Sequence, residues 1–383
     1  MTSWTTVWQT LVHVCHGWRD IVFQSPRRLD LKILCTLGTH VGEILDIWPA
    51  LPLIIWVCHG FREWGLQNIS AALEHRDRIS CISVNPNHFS SNSALEVLLP
   101  GPFPALTSLH LVSSCWQAPP VTSSFLRGST PHLRHLCLEN LSFPTLPALL
   151  LSSTNLVTLT LRNVPHSHSG YISPEVMATC LFALIRLERL EFRSKSLTTH
   201  PNSEILHPHS QSRAVLPALT WFYFKGLSQY LEDLVVRIDA APVLEYLQIS
   251  FYTRPIFHTT HLSRFINRVP KFQALDEARV VIFDADIFVA VSLTRTHRVL
   301  TMEIPDRKCH SPSLAQFFIS LPLFFTVEHL YMTFPVVYWG ILESSQWLEL
   351  LSPFTYVKNL YLSKRFGLRI ALALQKLIEG LEW

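Results

Sequence analysis

The sequence predicts an α/β fold in which short parallel strands stack into an irregular solenoid, with a concave sheet inside and helices outside. Three observations predict it. A six-residue pattern, apolar-x-x-apolar-x-apolar, recurs along the chain at intervals of 21 to 34 residues. The segments between its copies are long enough for a turn, a helix and a return loop. Of the 383 residues, 48% are hydrophobic and only 15% charged, which suits an extended core; ordinary soluble proteins carry about 25% charged residues.

In chain order, Trp4, Val7, Trp8, Leu11, Val14, Cys15, Trp18 and Val22 recur every three or four residues. They predict an amphipathic helix that Ser25-Pro26 halts. The clear hexamers begin at Leu106, Leu133, Leu156, Leu187, Leu219, Leu244, Val327 and Val357, and weaker copies begin at Ile79, Ala278 and Val299. In each, the alternating last three positions suit a strand that turns its apolar side chains inward. Between them, FLRGSTPH before Leu133, MATCLFALIR before Leu187 and QYLEDLVVRIDAAPV before Leu244 predict helices. The polar stretches 165–174 and 194–213 predict surface loops. This arrangement is that of a leucine-rich-repeat solenoid. The asparagine usual in such repeats is displaced by one residue, with Asn140, Asn163 and Gly226 just past their strands, so the repeats are degenerate.

Other classes find little support. The longest apolar stretches, from Ile47 to Cys58 and from Phe317 to Val327, are interrupted by proline. Both are shorter than the roughly 18 to 20 residues a spanning helix needs. The N-terminus lacks the basic and apolar regions of a signal peptide. Net charge is only +3, the pI is near 8.4, and no run of Lys or Arg exceeds two, so neither a nucleic-acid nor a membrane partner is expected. The eight cysteines form no CxxC and no regular framework, which predicts buried free thiols in an intracellular, reducing compartment.

Candidate chemistry is sparse. Val14 and Val57 open two similar stretches, VCHGWR and VCHGFR, but neighbouring helical residues point about 100° apart, so a Cys-His pair cannot readily chelate one ion. His166, His168, His207 and His209 lie in polar loops. Asp284 and Asp286 form an isolated DxD after a strand pattern, the one opening for an enzyme reading. No hydrolase or nucleotide-binding motif occurs. The expectation is therefore a non-enzymatic protein with no catalytic residue, metal or cofactor.

The fifth position of each hexamer is expected to point out of the sheet: His110, Cys137, Thr160, Glu191, Tyr223, Gln248, Tyr331 and Tyr361. With Arg189, Trp221 and Tyr246 beside them, a surface rich in aromatics and arginine results, the residues that dominate binding hot spots. Arg189, Trp221, Tyr223, Tyr246, Tyr331 and Tyr361 are the expected target-binding residues. Strand propensity alone also accounts for Tyr and Trp at such places.

The stretch LVHVCHGWRDIVFQSPRRLDL, from Leu11 to Leu31, resembles the second half of an F-box: leucine, valine, cysteine, two polar residues, tryptophan, arginine, then a Ser-Pro-Arg turn. With IWPALPLIIW and the repeats after it, the chain looks like a fungal F-box protein carrying leucine-rich repeats. The Leu-Pro opening and first short helix of the F-box pattern have no counterpart here, so the resemblance implies a partial F-box: either it is N-terminally truncated, with adaptor binding weakened or lost, or Trp4 and Trp8 substitute in part. It implies three regions: a helical partial F-box (1–47), a linker and solenoid cap (48–78), and the repeats (79–383). It further implies a cytoplasmic or nuclear substrate adaptor of a Skp–cullin–F-box ubiquitin ligase, with Trp8, Leu11, Val14, Cys15 and Trp18 facing the Skp-type subunit and the repeats holding a protein substrate. The alternative is a stand-alone interaction scaffold whose first helix caps the solenoid. The two differ at that helix: a cap buries Trp8, Leu11 and Trp18, and a docking helix leaves some of them free.

Overall fold

A computed structural model describes residues 14–24, 31–35, 39–47, 50–57, 65–84, 101–113, 130–164, 171–194, 213–240, 243–252, 260–273, 276–283, 288–295, 298–305, 318–333 and 351–363, with isolated positions 348, 371, 374 and 375. The chain divides into two compact units, Met1–Tyr171 and Ile172–Trp383.

In the first unit, helix α1 (His16–Phe23) precedes β1 (Leu31–Leu34), α2 (Val41–Ile47), β2 (Leu53–Val57), α3 (Gly65–Leu73), β3 (Ile79–Val84), β4 (Ser108–Val112), β5 (His135–Glu139), α4 (Leu146–Ser152) and β6 (Thr158–Val164). The six strands pair in sequence order, all parallel. Two expectations are corrected. The sheet begins at Leu31, so β1 and β2 fall where a helical region and a linker were expected; LKIL and LIIWV are short apolar runs, which periodicity alone does not separate from helix. Helix α1 starts at His16, because Cys15 is extended (φ −162°, ψ 169°) and its carbonyl accepts the first helical bond, from Arg19 N.

The hexamers become repeats through backbone hydrogen bonds. Their first residue donates its N–H to the carbonyl three positions back: Leu106 to Phe103, Leu133 to Thr130, Leu156 to Ser153, Leu187 to Leu184 and Leu219 to Leu216. The second-position carbonyl then accepts two N–H groups of the next hexamer. Thr107 O takes Arg134 and His135, and Arg134 O takes Val157 and Thr158. Fourth and sixth positions, such as Leu109 with Leu111 and Leu159 with Leu161, are buried.

In the second unit, α5 (Pro174–Phe182) is followed by β7 (Arg189–Ser194), β8 (Ala214–Leu216), β9 (Trp221–Gly226), α6 (Ser228–Arg237), β10 (Ile238–Ala240) and β11 (Tyr246–Phe251). Then come α7 (Thr260–Asn267), α8 (Pro270–Gln273), β12 (Glu277–Phe283), β13 (Phe288–Arg295), β14 (Arg298–Pro305), a 3-10 turn (Pro322–Thr326), β15 (His329–Thr333) and β16 (Asn359–Leu362). Helix α5 starts three residues before the predicted stretch MATCLFALIR, at the end of the stretch expected as a loop: Pro174 occupies the first turn, and the Ser173 side chain accepts the Val176 N–H at 3.3 Å.

Strand order here is β7-β9-β11-β14-β13-β12-β15-β16, and β8 pairs separately with β10. All pairs are parallel except those of β13, which runs antiparallel to β12 and β14. A three-strand meander thus interrupts the repeat. It also resets the frame of the hexamer read from Ala278: Ala278 and Val280 are the buried pair, and Arg279 takes the outward place beside Tyr331. The core joins strand and helix, with Phe192 stacked on Tyr230 at 5.0 Å and Phe222 edge-on to Phe265 at 6.5 Å. Among the described residues no helix is long and apolar enough to cross a membrane.

Candidate interaction surfaces

Helix α1 in the first unit buries little of itself. Val22 is 8% exposed, whereas Val14 is 63%, Trp18 46% and Ile21 61% exposed. Trp18 and Ile21 lie three residues apart, so they share one helical face. Val14 sits just outside the helix. Cys15 is exposed too, contrary to the expectation of buried thiols, and Cys81 and Cys137 are half-buried; Cys35 and Cys180 are buried. Trp8 and Leu11 lie outside the described residues.

The same unit carries a polar row on its sheet. Trp56, Ser83, His110, Cys137 and Thr160 are register partners on five consecutive strands. Ser83 Oγ and His110 Nδ1 lie 3.2 Å apart, and Arg162 pairs with Glu139 at 3.4 Å. Burial lowers the His110 pKa, a shift that Glu139 opposes and Arg162 assists, so the ring is neutral at pH 7. Lys32 Nζ sits 3.5 Å over the Trp56 ring.

The second unit brings the expected aromatic residues together. Arg189, Trp221 and Tyr246 are register partners on β7, β9 and β11. The Arg189 guanidinium lies 4.8 Å from the Trp221 ring centre, and Trp221 stacks on Tyr246 at 5.4 Å with planes 6° apart. Tyr331 and Tyr361 stack at 4.3 Å and 7° on β15 and β16, and Tyr361 is 44% exposed. Tyr223 departs from expectation, being only 7% exposed. Arg193 covers its ring at 4.5 Å while holding Glu191 at 2.6 Å, and Trp221 stacks beside it at 6.0 Å. Tyr223 is therefore a support for its neighbours rather than a free contact. Burial raises its pKa, and that of Tyr246, so both are neutral phenols at pH 7.

The sequence reading missed Arg279 and Ile21. Arg279 stands in register with Tyr331, its guanidinium 5.8 Å from that ring. Asp284, Asp286 and the loop histidines 166, 168, 207 and 209 lie outside the described residues.

No protein-family model and no curated protein matches this chain. The functional reading therefore rests on the repeats, the exposed helix and the aromatic sheet face.

Proposed function

We propose that the chain is a non-enzymatic substrate-recognition adaptor of a Skp–cullin–F-box ubiquitin ligase. In this reading α1 docks the Skp-type subunit, and the outward sheet face of the Ile172–Trp383 unit holds a protein target. The observation that carries it is the exposure of Trp18 and Ile21 on a helix that buries Val22. A helix that only capped the repeats would place its large apolar residues inward, because each buried side chain of that size contributes about 1.5–3 kcal/mol. Left in water, a tryptophan and an isoleucine on one face form the kind of anchor that a partner surface buries.

The aromatic and arginine content of the sheet face supports the second half of the reading, since these residue types lead binding hot spots. Co-purification of the full chain with a Skp-type subunit tests the first half. Capture by the parent chain and its loss in a folded Trp18→Ala, Ile21→Ala double variant is the expected result. A folded parent that captures nothing turns the assignment to a stand-alone scaffold.

A further inference from the structure

We draw no further inference here: the strongest candidate, the surface patch at the C-terminal end of helix α5 in the second unit, where Phe182 is 63% and Ile185 60% exposed, carries nothing because nothing among the described residues shows what covers it.

Discussion

Asn140 donates its side-chain Nδ2 to the Ser113 carbonyl at 2.7 Å, one repeat back, while its backbone N–H donates to Arg162 O, one repeat ahead. Its φ of 57° is left-handed, as is the 54° of Asn163 at the equivalent place of the next repeat. Asparagine is one of the few residues other than glycine that take this conformation readily. Asn140 is thus a turn residue that lashes its repeat to both neighbours, whereas Asn163 takes the same left-handed φ inside β6.

Replacing Asn140 by alanine removes the bond to Ser113 and leaves a side chain in the left-handed region. The expected loss is about 1–3 kcal/mol by urea denaturation. Asn140→Gly keeps the conformation at no steric cost, so it loses less than alanine does. Equal stability of both variants would show that the backbone does not need φ above zero there.

Gly226 closes β9 for a different reason. A Cβ at that position would stand 2.8 Å from Phe224 Cζ, and that ring is buried beside Phe192 and Tyr230. Gly226→Ala is expected to cost about 1–3 kcal/mol through overpacking, read as a lower urea midpoint with an unchanged slope.

Glu232 is buried on α6, and its carboxylate caps the next helix by accepting the N–H groups of His261 at 3.0 Å and Leu262 at 3.2 Å. Burial raises its pKa above the usual 4.5, and those two hydrogen bonds only partly oppose the shift. The native state therefore holds this proton to higher pH than the unfolded chain does. Its contribution is full below the ordinary carboxyl range and is lost as pH rises through the folded pKa. Stability of Glu232→Gln relative to the parent should accordingly rise with pH across that window and level off above it. A relative stability that falls with pH there would contradict the assignment.

The thiols differ by burial. Cys35 is pushed up to about 12 and Cys180 to about 11, whereas Cys15 is exposed. At pH 8 the Cys35 thiolate fraction is about one in ten thousand, and alkylation needs the thiolate. Peptide mapping after brief iodoacetamide treatment should find Cys15 modified before Cys35 and Cys180, which are modified only after denaturation. Labelling of Cys180 as fast as Cys15 would contradict its burial.

Much of the second unit's aromatic face is legible in the sequence, because a period of two in a short strand fixes which side chains share a face. Trp221 and Tyr246 follow from their hexamers at once. Arg279 did not, since the hexamer read from Ala278 had the wrong frame; the meander through β13 makes pairings that no repeat spacing encodes. Tyr223 was placed on the correct row, but its cover by Arg193 depends on side-chain packing that periodicity does not carry. Strands β1 and β2 were missed because an apolar run of four or five residues reads equally well as buried helix. At α1 the apolar spacing was read as one long stripe, whereas the extended backbone of Cys15 separates Val14 from the helix, and Ile21 became apparent only through its exposure.

The account turns on whether α1 is a docking element. Titration calorimetry of the full chain with a purified Skp-type subunit, beside a Trp18→Ala, Ile21→Ala variant matched to it in urea stability, measures this most directly. The account predicts saturable binding by the parent and a loss of about 2 kcal/mol or more in the variant, roughly thirtyfold in Kd. No heat of binding from a folded parent, or identical affinities for parent and variant, would contradict it.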